Sequence, residues 1–236
     1  MQVARSRQQQ GGDGVLVNQV VCGALMHVYS RAGQWRECIA VIGRARSLGV
    51  APSSTMFHIA MYAAACARQP HVSEAVFQNL PGQPSRVSRE TLMYAYGCCG
   101  MHDAAEATVD VMVDNGTPLR DYTAVALIQA YSEAGLWQKA LQVGGRLREL
   151  KVRPTVHVLN ALLTVCVRHQ KYDRGIRILQ KFQVKDGPRR THVTEALIRV
   201  VCDEEASTID AQQAIATALS AVAAAVGGAL IKGGLF

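Results

Sequence analysis

Six short apolar segments recur along this chain at an almost fixed spacing, and this repetition constrains the fold more than any single residue does. Equivalent residues in successive segments are separated by 35, 32, 35, 35 and 35 positions. A fixed period of about 20–50 residues is typical of a stacked array, in which each unit packs mainly on its neighbours. The segments span 20–26, 55–61, 87–93, 122–128, 157–163 and 192–198, and the equivalent residues are Gly23, His58, Glu90, Val125, Asn160 and Glu195.

Each unit is predicted to be a pair of α-helices. In the fourth unit the 3.6-residue periodicity predicts helices over 122–133 and 137–150, separated by Ala134-Gly135. The first unit has the same design, with a second helix over 37–48 that ends before Gly49. Small residues recur early in the second helices, where they would allow close helix approach: Cys38, Ala75, Ala105, Ala140 and Gly175.

An apolar pair in every first helix predicts the seam on which consecutive units stack. Because 49% of the residues are apolar, the chain can bury a continuous core along such an array. Trp35 and Trp137 occupy the same place in their units and are predicted to pack between helices. The pairs are Leu25-Met26, Ala60-Met61, Leu92-Met93, Leu127-Ile128, Leu162-Leu163 and Leu197-Ile198.

The array is bounded by two segments of different texture. Residues 1–14 are polar and rich in Gln and Gly, which predicts a flexible lead-in before the array of 15–202. The second unit is three residues short, and its second helix is predicted over 73–80. The sixth unit has only its first helix before the C-terminal segment 203–236.

Residues 214–231 carry no charge but consist mostly of Ala and Gly. One interpretation is a helix that caps the end of the array or docks on a partner, because arrays need a capped end. The alternative is a membrane anchor, since about 20 uncharged residues can cross a bilayer as a helix. The sequence leaves both interpretations open.

The positive charge is concentrated in one part of the chain. Residues 151–199 contain eleven Lys or Arg against three acidic residues, whereas the whole chain has a net charge of +7. Such a basic block is consistent with a surface that contacts a polyanion, or with a solvated face that keeps the protein soluble.

The sequence contains no recognisable catalytic constellation. It has no phosphate-binding GxxxxGK[ST] loop and no nucleophile elbow, and its seven cysteines include no CxxC pair and no Cys/His cluster at zinc spacing. The cysteines are predicted to be reduced thiols, most of them in the core. We therefore expect a non-catalytic protein without a cofactor or metal ion.

The repeat resembles the pentatricopeptide repeat family. The resemblance is carried by YTAVALIQAYSEAGLWQKAL at 122–141, by LMHVYSRAG at 25–33 and by HVLNALL at 157–163, and it covers about residues 19–202. It implies an all-α fold: a right-handed α-solenoid of about five to six helix-turn-helix repeats, here followed by a C-terminal Ala/Gly-rich helix. It also implies work on RNA in a mitochondrion or chloroplast, in keeping with the reading of one base per helical repeat.

The resemblance further implies which residues face RNA. A base would be read by the fifth residue of a unit and the last residue before the next unit, and only Asn160 has the type that the family prefers at the first of these. The sequence therefore predicts phosphate contact with folded RNA more than base reading. The base-facing pairs are Gly23 with Ser53, His58 with Ser85, Glu90 with Arg120, Val125 with Thr155, and Asn160 with Arg190; the predicted phosphate-binding residues are Arg31, Arg168, Arg174, Arg177, Lys181, Lys185 and Arg189.

Three functions follow as hypotheses. The first is an RNA-associated structural component of an organellar ribonucleoprotein particle, such as a mitochondrial or plastid ribosome. The second is a scaffold subunit of a respiratory or photosynthetic membrane complex, anchored through 214–231. The third is a free RNA-processing or translation factor. The expected partners are structured or ribosomal RNA and the proteins of a larger organellar complex, with a membrane as a further possibility.

Overall fold

The computed structural model describes residues 18–153, 155–182 and 192–202, together with 212–213 and 216–217. Within this part of the chain there are eleven α-helices and no β-strand. They form five helical hairpins and the first helix of a sixth unit, which confirms the predicted all-α fold. The first helices are α1 (Gln19–Arg31), α3 (Ser54–Cys66), α5 (Arg86–Cys99), α7 (Asp121–Glu133), α9 (Val156–Arg168) and α11 (His192–Cys202). The second helices are α2 (Trp35–Ser47), α4 (Pro70–Gln78), α6 (His102–Asp114), α8 (Trp137–Arg146) and α10 (Tyr172–Phe182).

The register of the repeat is confirmed. Helices α1, α3, α5, α7 and α9 begin 35, 32, 35 and 35 residues apart, which is the spacing of the sequence segments. Polar residues precede these helices and cap two of them: Asn18 Oδ1 accepts the Val21 N–H at 3.0 Å, and Ser85 Oγ accepts the Ser88 N–H at 3.2 Å. Such caps satisfy backbone donors that a helix start leaves without an intrahelical partner.

One residue in the turn between the two helices of each of these five units has a left-handed backbone. Gly33, Gly100 and Gly135 have φ values of 71°, 72° and 78°, which glycine adopts without steric cost. Arg68 and Gln170 hold the same place in the second and fifth units, with φ of 55° and 54°. Because a side chain disfavours this conformation by about 1–2 kcal/mol, the rest of the turn must impose it on these two residues.

The helices stack in two layers with different contacts. Each first helix packs directly on the next first helix, whereas the second helices pack on the first helices and have no substantial contact with one another. The array therefore curves with the first helices on its inner side. We call the two layers the inner helices (α1, α3, α5, α7, α9 and α11) and the outer helices (α2, α4, α6, α8 and α10).

The predicted seam pairs form the core between units. Both members of the pairs in α3, α5, α7 and α9 are buried, as is the first member of the pair in α11. Leu25 in α1 is the exception, with 41% of its surface exposed, because no described unit precedes the first one. Trp35 and Trp137 are partly buried against this core, as predicted.

Two details of the second helices differ from the prediction. Helix α8 ends at Arg146, four residues before the predicted end, after two glycines that weaken a helix. Helix α4 begins at Pro70, a residue that is favourable at the first helical position, so the shortening of this unit falls at the end of its second helix. As a result Ser73, not Ala75, lies where the helices approach closely: its Oγ donates to Met61 O at 2.8 Å.

The terminal predictions concern residues that are largely outside the described part of the chain. These are the flexible lead-in of 1–14 and the C-terminal helix of 203–236, including the membrane anchor proposed for 214–231. Among the described helices, none has the length and apolar character needed to span a bilayer. The domain boundaries stay predictions.

Candidate functional site

The described base-facing residues lie on the inner helices or immediately before one, and two of them, His58 and Asn160, are bonded to the next unit. His58 Nε2 is 2.8 Å from Ser88 Oγ, and Ser88 Oγ is 2.9 Å from Ser85 Oγ. The predicted pair His58 and Ser85 is thus joined through Ser88. His58 is only 9% exposed, and burial lowers the pKa of its imidazole, which favours the neutral ring.

The pairs of the fourth and fifth units show the same pattern. Asn160 is buried, and its Oδ1 accepts the Thr194 hydroxyl at 2.8 Å. Val125 is buried too, and its predicted partner Thr155 donates from Oγ1 to Asp121 Oδ2 at 3.0 Å. These side chains therefore join consecutive units instead of pointing into an open groove.

The pair Glu90 and Arg120 lies in a cluster of charged side chains on α5 and at the start of α7. Arg86 Nε is 3.7 Å from Glu90 Oε1. Burial raises the pKa of the Glu90 carboxyl, and the nearby Arg86 and Arg120 guanidinium groups offset only part of this effect. Arg120 lies over the Tyr122 ring at 5.8 Å, and the Tyr122 and His157 rings are 5.5 Å apart.

The remaining predicted base contacts provide little chemistry. Gly23 has no side chain, and an added Cβ would meet no atom within 4 Å. Ser53 precedes α3 without a side-chain capping bond. Arg190 lies outside the described residues. The structure therefore brings two predicted pairs close together, those of the second and third units. In the fourth and fifth units it uses the polar atoms of Thr155 and Asn160 between units.

Arg168, a predicted phosphate contact, is held by an acidic side chain. Its Nη1 donates to Glu133 Oε1 at 2.6 Å, and the side chains of Arg168 and Glu133 are only 24% and 19% exposed. The other carboxylate oxygen of Glu133 accepts Arg68 Nη2 at 2.9 Å. Arg68 also donates from Nε to Cys98 O at 2.9 Å, at the end of α5. We call Arg68, Glu133 and Arg168 the inner clamp; it connects four consecutive units.

Sequence reasoning missed the inner clamp, although a signal for it exists. Glu133 and Arg168 are separated by 35 residues, so they occupy the same position in consecutive units. Asp121 with Thr155 and Asn160 with Thr194 are each separated by 34. In a stacked array, complementary side chains at this spacing are neighbours, and the repeat length alone could have identified them.

The other described residues among the predicted phosphate contacts are exposed, but they lie on two different surfaces. Arg31 is exposed at the end of the inner helix α1. Arg174, Arg177 and Lys181 are exposed on the outer helix α10, and within the described residues none of the three makes an ion pair. Lys185 and Arg189 lie outside that part of the chain.

A groove of about 560 Å³ separates the outer helices α2 and α4. Its floor is Phe57, and its walls are mostly apolar. The lining residues on α2 include Ile39, Ile42, Gly43 and Arg46. Those on α4 include Val72, Ala75 and Val76, and Asn79 lines the groove just after the end of α4.

The described thiols fit the core role predicted for most of them. Cys22, Cys38, Cys98, Cys99 and Cys166 are buried or partly buried, Cys66 is exposed, and all six are free. Burial raises the pKa of Cys38 and Cys166 to about 12, which keeps these thiols protonated. In the described part of the chain, no group of three or more His, Cys, Asp or Glu side chains is placed to hold a metal ion.

Comparison with known families matches the same units. The profile described as "Pentatricopeptide repeat domain" matches residues 107–169, and the profile "PPR repeat" matches residues 20–50 and 87–117. A pentatricopeptide repeat-containing protein of Arabidopsis thaliana is 24% identical over 139 residues, which are 58% of this chain. The matched segment spans only 24% of that protein's length.

Solved structures have the same fold at low identity. The maize pentatricopeptide repeat protein PPR10, in complex with an 18-nucleotide psaJ RNA element, is 18% identical; the alignment covers 92% of this chain and 36% of PPR10, with a TM-score of 0.61. The PPR domain of Arabidopsis thaliana protein-only RNase P 1, in complex with tRNA, is 18% identical, with 78% and 98% of the two chains covered and a TM-score of 0.54. These likenesses establish an α-solenoid.

Proposed function

This chain belongs to the pentatricopeptide repeat family, and on that premise we propose that it is a non-catalytic, RNA-associated structural component of an organellar ribonucleoprotein particle, such as a mitochondrial or plastid ribosome. Members of this family are expected to associate with RNA, but the inner face of this chain is poorly suited to reading bases. We therefore expect the protein to contact folded RNA as part of a larger assembly.

One observation carries this proposal. His58 and Asn160, the two polar side chains at base-facing positions that are buried, are each bonded to the next unit. Reading a base with either residue would require its existing hydrogen bond to be broken, and a buried polar group left unpaired costs about 1–3 kcal/mol. A sequence-selective single-strand factor is therefore the weaker alternative, whereas contact with phosphates needs none of these atoms.

The test is sedimentation of the tagged protein from an organelle lysate, with and without ribonuclease treatment. We expect it to move with a ribosomal subunit or another large ribonucleoprotein and to return to the top of the gradient after RNA digestion. Sedimentation that is unchanged by ribonuclease, or co-sedimentation with a membrane complex, would contradict the proposal.

A binding assay separates the proposal from the single-strand alternative. We expect unrelated single-stranded RNAs to bind with equal, salt-sensitive affinity, because phosphate contacts carry no sequence information. A preference of about 100-fold or more for one sequence would instead show base reading and would favour a processing or translation factor.

A further inference from the structure

We propose that the groove between the outer helices α8 and α10 binds the sugar–phosphate backbone of RNA. This inference rests on the proposed RNA association and adds its location: the outer side of the array, opposite the inner helices. We call this surface the basic outer groove. It is defined by Gly145 and Arg148 on the α8 side and by Arg174, Arg177 and Lys181 on the α10 side.

The positions that line the basic outer groove follow from the groove between α2 and α4. There, Val72, Ala75 and Asn79 of α4 face the preceding outer helix. Counted from the start of each unit's inner helix, the same positions in the fifth unit are Arg174, Arg177 and Lys181. Because the units share one register, these three cations face α8.

The orientation of α10 is supported by its buried side. Ile178 packs against both the core shared with the preceding units and the cluster formed with α11, whereas Leu179 belongs to the α11 cluster alone. At 100° per residue, Arg174 and Lys181 therefore lie on the flank nearer α8, with Arg177 between that flank and the solvent. Tyr172 and Ile176 lie on the opposite flank, toward α11.

The α8 side of this groove leaves room for the sugar–phosphate backbone of RNA. Gly145 takes the place of Gly43 in the α2–α4 groove, and an added Cβ there would meet no atom within 4 Å. Gly144 takes the place of Ile42, so the large apolar side chain that lines the first groove is missing here. Gly144 also packs against Leu162, which holds α8 close to α9. Arg148 takes the place of Arg46 and adds a fourth cation at the rim.

The charges around the groove favour an anion. Arg148, Arg174, Arg177 and Lys181 are exposed, and none of them makes an ion pair with a described residue. Two carboxylates are near: Glu149, which is 3.3 Å from Arg146, and Asp173, which takes the place of the groove-lining His71. The cations thus exceed the unpaired acids by three.

A phosphodiester backbone fits this arrangement best. Arg174 to Lys181 spans about 10 Å along α10, so the three cations form a row that a strand can follow. Guanidinium groups bind phosphate oxygens with two parallel hydrogen bonds. The groove wall contributes no aromatic ring on which a base could stack, so we expect contact with the backbone and not with the bases.

The test compares charge reversals of equal size on two outer helices. The groove variant is Arg174→Glu with Arg177→Glu. The control with the same charge change is Arg36→Glu with Arg44→Glu on α2, where both residues are also exposed and Arg44 is 3.2 Å from Glu37. A third variant, Gly145→Glu, fills the groove without touching a cation. The probes are a labelled RNA hairpin and a labelled single strand, titrated between 50 and 200 mM salt.

If four cations contact phosphates, the unmodified protein should lose about 100-fold in affinity over this salt range. The groove variant should bind at least about 10-fold more weakly and have a salt slope smaller by about two. Gly145→Glu should weaken binding as well, while the control should stay within about 3-fold. Circular dichroism of each variant confirms that its helices are intact.

The outcomes separate the two proposals. If the groove variants bind RNA as tightly as the control, or if only Arg31→Glu on the inner face weakens binding, the basic outer groove is not the RNA site. The proposed RNA association is not contradicted by that result. If the unmodified protein binds neither probe, the proposed function fails as well. If poly-glutamate bound as tightly as RNA, the groove would be a site for any polyanion, and the assignment to RNA would be wrong.

Discussion

The inner and outer faces of this array use their polar side chains in opposite ways. On the inner face, His58, Asn160 and Glu133 form hydrogen bonds or ion pairs with the next unit. On the outer face of α10, Arg174 and Arg177 are exposed and make no ion pair within the described residues. The inner face therefore stabilises the stack, and the outer face is available to a partner.

The outer helices α4 and α10 show how little has to change to create such a surface. The groove between α2 and α4 has Val72 and Ala75 on one wall, and the same positions of α10 carry Arg174 and Arg177. The helices are equivalent, and the exposed side chains set the chemistry. An outer position can be varied in this way because it carries little of the core.

The largest expected contrast between the faces is in core packing. Leu163 is fully buried in the inner helix α9, so Leu163→Ala should lower the free energy of unfolding by about 3–4 kcal/mol. Ile176 on the outer helix α10 is 37% exposed, and Ile176→Ala should cost less than about 1 kcal/mol. Urea unfolding measures both. Similar losses would show that the outer face is as tightly packed as the inner one.

The inner clamp gives the next largest effect. Glu133→Gln removes the charge that binds Arg68 and Arg168. This change should lower the free energy of unfolding by about 1–2 kcal/mol, because the ion pair with the exposed Arg68 is screened by solvent and contributes little. Glu149→Gln is the matched control, because its partner Arg146 is exposed and the pair should contribute less than about 0.5 kcal/mol. Equal effects of the two substitutions in urea unfolding would mean that the clamp adds nothing beyond a surface ion pair.

The sequence predicted the scaffold well because the repeat is a backbone property. The spacing of the segments, the apolar pairs such as Leu127-Ile128 and the glycine breaks such as Gly135 all follow from one periodicity. Where the break lacks glycine, as at Arg68, no residue type marked it, and α4 begins three residues before its predicted start.

The sequence was less informative about the use of each polar side chain. Arg168 has the residue type and position of a phosphate contact, yet Glu133 from the preceding unit binds it. Likewise, the one favourable base-facing residue, Asn160, accepts a bond from Thr194. Such pairings depend on the distance between units, which becomes visible only when residues are compared at the repeat spacing. The predicted RNA contacts themselves stay predictions.

Acidification should affect the inner face first. Burial lowers the pKa of His58 below its usual value of 6.5, so the folded state prefers the neutral ring. The stabilising contribution of this preference is complete above pH 6.5 and is lost as the pH falls toward the lower pKa of the folded state. Between pH 7.5 and 5.5 we therefore expect this residue to contribute a fall in the free energy of unfolding.

The comparison that isolates this effect is between His58→Gln and the unmodified protein. His58→Gln should be less sensitive to acid, although His27 and His169, whose pKa values burial also lowers, leave some dependence. His71→Gln on the outer helix α4 keeps all three buried rings and should retain the full dependence. Urea midpoints at several pH values measure this, and parallel curves for His58→Gln and the unmodified protein would contradict it.

The smallest effect tests whether replacing Gln by Gly changes the free energy of unfolding in opposite directions in a turn and in an outer helix. Gln170 has a φ of 54° in the turn between α9 and α10, so Gln170→Gly should raise the free energy of unfolding by about 0.5–1 kcal/mol by relieving a conformation that side chains disfavour. Gln142 is exposed in the helix α8, where the same change should lower the free energy of unfolding by a similar amount, because glycine is a poor helix former. Both residues are exposed, so neither change removes a core contact. Thermal and urea unfolding should therefore shift in opposite directions, and a shared direction would mean that the left-handed turn at Gln170 is not strained.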